Sequence, residues 1–165
     1  MLFHNISFIG TTVANFKNNF KKHDLILRKL FMKNSCKIGD KAELTKRITE
    51  EDIYLFAGIT GDKNPVHISS DYAAKTIFKE KIAHGILTAG LISAVIGMKL
   101  PGNGTIYISQ TLHFKAPVKI NDLITATVEV KEIISYKKLV LSTYCTNQHG
   151  AVVLDGEAVV SPPRG

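Results

Sequence analysis

Asp62, Asn64 and His67 fall within six residues of one another, in the run Thr60-Gly61-Asp62-Lys63-Asn64-Pro65-Val66-His67. A carboxylate and an imidazole that share one water can take a proton from that water as it attacks a carbon, and can return a proton to the neighbouring carbon. Pro65 fixes its own φ and pushes Asn64 toward extended geometry, while Gly61 permits a turn that other residues resist. The loop can therefore aim Asp62 and His67 at a common point. The same residues also make ordinary turn chemistry, in which Asp and Asn side chains bond their own backbone, and a lone histidine is commonly a satisfied core residue. On the loop alone both readings stay open.

His84-Gly85, directly ahead of a long apolar run, is the second feature with chemical content. Backbone N–H groups at a buried helix N-terminus stabilise negative charge that develops on an oxygen, and Gly85 has no side chain to obstruct a ligand. A tight entry into the helix would ask for the same glycine. Ser93, two turns further on, fits a small packing residue as well as it fits a ligand contact. No metal and no cofactor are expected. None of the six histidines pairs with another at helical i, i+4 spacing, and neither Cys36 nor Cys145 has a nearby cysteine. The two cysteines read as reduced thiols.

The elements that must position these groups follow from the pattern of side chains. Ala42, Leu44, Lys46 and Ile48 alternate with Glu43, Thr45 and Arg47, a short strand. Thr49 followed by Glu50, Glu51 and Asp52 is a helix N-cap with acids where the dipole favours them, and Ile53, Phe56 and Ala57 form that helix's apolar side. Gly58, Gly61 and Asn64-Pro65 break it into a loop, and Ser69 and Ser70 cap a short helix holding Tyr72, Ala73 and Ala74. From Ile86 to Leu100 the chain is apolar nearly all the way round, so that helix must be wrapped by something. Pro101-Gly102 ends it. Four strand-like runs follow, 104–115, 123–135, 138–147 and 151–160, punctuated by Asn121-Asp122, Ser135 to Lys137 and His149-Gly150. Their connections are too short for parallel crossovers, so the sheet is antiparallel. The expected fold class is α+β: a single "hot-dog" in which a curled antiparallel sheet wraps one long apolar helix. Its exposed sheet edge predicts a homodimer, because pairing two copies would cover that edge.

A chain of 165 residues has room for one such core. Its net charge of +7 is unevenly placed. Residues 1–37 hold seven Lys or Arg against one acid, Asp24, whereas the remainder holds fourteen basic and thirteen acidic groups. The division is therefore a basic leader, 1–37, and a near-neutral domain, 38–165. The leader suits a mitochondrial transit peptide, upstream sequence ahead of a true start at Met32, or a basic tail. The location is accordingly cytoplasmic, or the mitochondrial matrix if the leader is a transit peptide. No nucleic-acid partner is expected, since the basic segment has no aromatic-rich strand signature beside it. Nor is a membrane, since no apolar run reaches the roughly 18–20 residues of a spanning helix.

Phe56-Ala57-Gly58-Ile59-Thr60-Gly61-Asp62-Lys63-Asn64-Pro65-Val66-His67, with Ala73 six places on, resembles the signature of the MaoC-like (R)-specific enoyl-CoA hydratases, also called hydratase 2. His84-Gly85-Ile86-Leu87, Leu100-Pro101-Gly102, Ser109-Gln110 and Phe114-Lys115-Ala116-Pro117-Val118 resemble the blocks that follow it, so the likeness spans about Gly39 to Pro162. It implies a hydro-lyase that interconverts trans-2-enoyl and (R)-3-hydroxyacyl thioesters, built on hot-dog dimers. It further implies that Asp62 and His67 hold the catalytic water, Asn64 shapes the site, Gly85 supplies an oxyanion-hole N–H, and Ser93 assists nearby. The sequence does not say which of Asp62 and His67 is the base; His67 as base with Asp62 as proton donor or relay is the favoured division. Thr88, Leu91, Ile92 and Val95 fit the lining of an acyl tunnel and plain core packing equally well. Two departures from the family pattern are the basic leader and the lack of a second hot-dog domain, and the C-terminal Pro-Pro-Arg-Gly carries no peroxisomal address.

The partner implied is an acyl thioester, on CoA or on acyl carrier protein. Dehydration of (R)-3-hydroxyacyl carrier-protein thioesters in fatty-acid synthesis is the nearest alternative, and it gains weight if the leader is a transit peptide. Hot-dog folds also host thioesterases, for which free thiol release without a 3-hydroxy product would speak. An inert acyl-CoA-binding or regulatory module would need the site occupied without turnover.

Overall fold

The computed structural model describes residues 36–135 and 137–163; residues 1–35, with nearly all of the basic leader, lie outside the described residues. The strands are β1 (Lys41–Arg47), β2 (Ile106–Gln110), β3 (His113–Phe114), β4 (Leu123–Ser135), β5 (Lys138–Thr146) and β6 (Val152–Ser161). The helices are α1 (Glu50–Thr60), α2 (Pro65–Ile68), α3 (Ser70–Ala73) and α4 (Gly85–Met98). The strands form one antiparallel sheet in the order β1-β4-β5-β6-β2, with β3 also pairing β6.

Period-two alternation builds the inner face of the sheet. On β4, Ile124, Ala126, Val128 and Val130 are all fully buried, and on β5 Leu139, Leu141 and Cys145 answer them. Register places buried residues opposite buried residues: Ala126 faces Cys145, Val130 faces Leu141, and Leu141 in turn faces Ala158 on β6. A one-residue slip would turn all of these outward, so the pairing is specified many times over. Burial pushes the Cys145 thiol up to about 12, which keeps it protonated and unreactive at neutral pH. Cys36 and Cys145 are both free.

Against this face lies α4, which buries Thr88, Leu91, Ile92, Val95 and Ile96. The apolar run suggested a helix enclosed on all sides, but the sheet covers one side only, and Ile86, Gly90 and Ser93 stand exposed on the other. A single sheet is one layer and can bury only one stripe of a helix.

The strand expected over 104–115 is broken. β2 and β3 are separated at Thr111-Leu112, after a register shift between Tyr107 and Ser109. The break sits over Gly156 of β6, where an added Cβ would lie 1.8 Å from the Thr111 carbonyl oxygen. Gln110 Nε2 donates to that oxygen at 2.7 Å and lies 2.9 Å from Thr143 Oγ1, so the kink is held from both sides. Its consequence is local and specific: β3 delivers the Phe114 ring to Gly85, the first residue of α4.

α1 begins as its sequence demands. Thr49 Oγ1 accepts from the Asp52 N–H and an Asp52 oxygen accepts from the Thr49 N–H, a reciprocal capping box, and Asp52 also pairs with Lys46 of β1 at 3.0 Å. This fixes the angle at which α1 leaves the sheet and so the place where it ends.

Candidate active site

α1 ends at Gly61, whose φ of +78° is the left-handed conformation a glycine adopts without steric penalty, with its N–H returned to the Ala57 carbonyl. The next residues turn on their own side chains. Asp62 Oδ1 accepts from the Asn64 N–H at 3.2 Å, and Asn64 Oδ1 accepts from the Val66 N–H at 3.3 Å. Asn64 thereby caps α2, with Pro65 in the first helical position where its missing N–H costs nothing. The segment expected as open loop is thus a four-residue helix, and that helix carries His67. Turn chemistry and the presentation of a reactive pair are the same arrangement here.

His67 Nδ1 lies 2.8 Å from the Ile82 carbonyl oxygen. A carbonyl oxygen only accepts, so Nδ1 carries the proton and Nε2 is left with a free lone pair. Ile82 is itself well fixed. It bridges to Lys119, its neighbour Ala83 donates to Val118 at 2.8 Å, and Lys81 before it bonds Glu50 and Tyr54 of α1. Burial, aided by the neighbouring His84, pulls the His67 pKa below its usual 6.5, against the opposing pull of the Ile82 hydrogen bond and the Asp62 charge. His67 is therefore neutral at pH 7, the state a base requires.

Folding brings a third polar side chain to this pair. His84, only 2 % exposed, sets its ring 3.9 Å from that of His67 and 4.8 Å from that of Phe56. Its Nε2 is 3.0 Å from the Asp62 carbonyl oxygen and 4.0 Å from the Asp62 carboxylate. Ligand-type atoms of Asp62, His67 and His84 all lie within 4.8 Å of one another, a grouping of metal-ligand types that spacing along the chain conceals. His84 Nε2, however, is turned to a carbonyl and must carry a proton there, so it offers no lone pair to an ion. The arrangement suits proton transfer better. His84 is the site residue that reasoning from the sequence missed. Its signal was present, a histidine directly before the helix glycine, but the glycine alone was given a role.

Gly85 opens α4, and no side chain caps that end. The first N–H groups of a helix have no intrahelical partner, so they point at whatever lies ahead of α4, next to His84 and the Asp62–His67 pair. A Cβ on Gly85 would approach Phe114 to 2.6 Å, so the ring covers the entry and a side chain there would displace it. Ser93 is not brought to the cluster within this chain. It lies eight residues along α4, roughly 12 Å, on the exposed face. Thr88, Leu91, Ile92 and Val95 all face the sheet as buried residues, with the Thr88 hydroxyl buried and without a partner among the described residues. A separate hollow lined by His113, Tyr144, Asp155 and Glu157, among others, lies over β5 and β6 and includes none of the cluster.

Residues 33–149 match the family described as the MaoC like domain. The chain is 53% identical over 144 residues to an (R)-specific enoyl-CoA hydratase of Rhodospirillum rubrum, covering 86% of this chain and 97% of that protein. It is 47% identical over 138 residues to a 3-hydroxybutyryl-CoA dehydratase of Methylorubrum extorquens, covering 84% and 87%. In three dimensions it is similar to the unliganded R-hydratase of Pseudomonas aeruginosa, with a TM-score of 0.76, 48% identity and coverage of 79% of this chain and 84% of that one.

Proposed function

The chain belongs to the MaoC-like dehydratase family and interconverts trans-2-enoyl and (R)-3-hydroxyacyl thioesters, and from that premise we propose that CoA is the carrier and that Asp62 and His67 carry the reaction on one shared water. The observation that carries this assignment is the His67–Ile82 hydrogen bond, which leaves a neutral Nε2 lone pair on a ring that has a nitrogen within 4.8 Å of an Asp62 carboxylate oxygen. As the water oxygen bonds Cβ, His67 Nε2 takes one of its protons. The displaced π electrons move toward the thioester oxygen, where the N–H groups at the start of α4 stabilise the charge. Cα then takes a proton through Asp62, which either starts protonated and is refilled from His67 or relays the proton His67 took, so that the water's OH ends on Cβ and its other hydrogen, in net, on Cα. Both transfers come from one side of the substrate, and the reverse sequence is the dehydration. The test is hydration of crotonyl-CoA, followed as loss of the conjugated-thioester absorbance, with chiral analysis of the product. The (R)-3-hydroxy thioester is expected, and an (S) product or free thiol release overturns the assignment. A parallel assay on the crotonyl acyl-carrier-protein thioester measures carrier preference.

We further propose that the working unit is a homodimer. Among the described residues the edge strands β1 and β2 have unpaired sides, β2 exposes Ile106, Tyr107 and Ile108, and α4 leaves Ile86 and Ser93 uncovered. A second copy would cover these surfaces and enclose Ser93. Light scattering at micromolar concentration should give twice the chain mass, and a monomer mass overturns the proposal. Residues 1–31 are proposed to be dispensable for the fold and activity of the domain, and the cytoplasm or the mitochondrial matrix remains the proposed location.

A further inference from the structure

We propose that His84 is a positioning residue for the hydration step: a neutral imidazole, fixed as the Nε2–H tautomer, that clamps the Asp62 backbone and supports the His67 ring. The inference rests on the assignment of Asp62 and His67 to the shared water and adds a third residue with a stated proton position.

Tautomer and charge follow from the partners. Nε2 faces the Asp62 carbonyl oxygen at 3.0 Å, and a bare ring nitrogen there would set two lone pairs against each other, so Nε2 is protonated. Nδ1 is buried and has no hydrogen-bond partner among the described residues. An imidazolium would place a second N–H at that position, charged and without an acceptor, in a side chain only 2 % exposed. Burying an unpaired charged donor costs far more than burying a bare imine nitrogen. The carboxylate of Asp62 lies 4.0 Å from Nε2, too far for a hydrogen bond. The groups packed on the ring are Asp62 after α1, Phe56 within α1 and His67 on α2, of which Asp62 and His67 titrate.

The clamp has a mechanical purpose. Asp62 is exposed, and among the described residues its carboxylate accepts a hydrogen bond from the Asn64 N–H, with His84 Nε2 4.0 Å away. His84 is rigid because it is the N-cap residue of α4, with φ and ψ fixed by the helix it opens. One N–H from that fixed point ties the Asp62 backbone to the start of α4, while the ring face sets how close His67 can come. His84 therefore fixes the separation between the two groups that must share a water. An error of about 1 Å in such a placement costs on the order of a hundredfold in rate.

The test compares His84→Ala, His84→Gln and Asp62→Asn in steady-state hydration of crotonyl-CoA, beside ring-nitrogen NMR of the ¹⁵N-histidine-labelled full chain. His84→Ala should lower kcat by roughly 10–100-fold, the usual worth of residues that orient a reactive group, with KM little changed. His84→Gln can place an amide N–H near the position of Nε2 and should recover most of that loss. A merely structural role predicts no such rescue and no division between kcat and KM. The NMR spectrum should show His84 with one protonated nitrogen, Nε2, at pH 7. Full activity in His84→Ala, failure of Gln to rescue, or an imidazolium or Nδ1–H form each overturns the inference. Where His84→Ala fails to fold, the Gln variant and the tautomer measurement still decide. An inactive Asp62→Asn beside an active His84→Ala sinks this inference alone, whereas an active Asp62→Asn sinks the assignment on which it rests.

Discussion

Leu141 and His67 occupy regions that are held together by different forces. Leu141 sits where β4, β5 and β6 meet under α4, fully buried, opposite Val130 on one side and Ala158 on the other. Its neighbours are interchangeable in kind, and the ladder fixes it redundantly. His67 sits on a four-residue helix that persists because Asn64 caps it, and its ring is aimed by one hydrogen bond to Ile82. The contrast teaches that the sheet supplies stability without chemistry and the loop supplies chemistry while contributing little stability, so the two should fail separately.

The sharpest way to break that comparison is at the loop. Asp62→Asn and His67→Asn should each lower kcat by roughly 10²–10⁴, the range for a positioned acid or base, with thermal midpoints near that of the parent. The double variant should be little worse than either single one, because both act on one water and such effects do not add. Multiplicative losses in the double variant would show that the two residues do not share a molecule. The opposite perturbation is Leu141→Ala, which should cost about 2–5 kcal/mol of stability by denaturant titration while leaving kcat of the folded fraction near the parent value. A collapse of kcat with the fold intact would mean the core tunes the site directly.

Smaller effects sharpen the same boundary. Because His67 must be neutral to act and burial holds its pKa below 6.5, the acid limb of kcat/KM for crotonyl-CoA should fall off only below that value. An acid limb centred above 6.5 would place a different group in control. Thr88 lies on α4 with its hydroxyl buried and unpartnered among the described residues. Thr88→Val removes that burden and should raise stability by about 1 kcal/mol. A destabilised variant would reveal that the hydroxyl finds a partner once two copies associate.

How much of this was legible in the sequence follows from the same division. Strands β4, β5 and β6 could be read to within a residue or so, because alternation with β-branched side chains has one structural meaning. The N-cap at Thr49 and the turn at Gly61 were legible for a similar reason, since few alternatives satisfy those backbone groups. α2 was not legible: Asn64-Pro65 is chemically both a turn and a helix cap, and four residues carry no period. Nor was the break between β2 and β3, which depends on Gly156 some forty-five residues away. The covered and open faces of α4 could not be told apart because apolar residues surround it. His84 escaped because its partners, Asp62 and His67, are near only in space.

Gly156 has a consequence beyond the strand it interrupts. Since any side chain there would collide with the Thr111 carbonyl, the kink that follows, and with it the Phe114 ring over Gly85, depends on a hydrogen atom at a position far from the reacting groups. In a library of single substitutions, Gly156 should tolerate no replacement at all, behaving like Asp62 and His67 in a screen for growth or turnover. A search for reactive residues by mutational intolerance alone would therefore return Gly156 as a false positive. It would be distinguished only by soluble yield, which its variants lose and those of Asp62 and His67 keep.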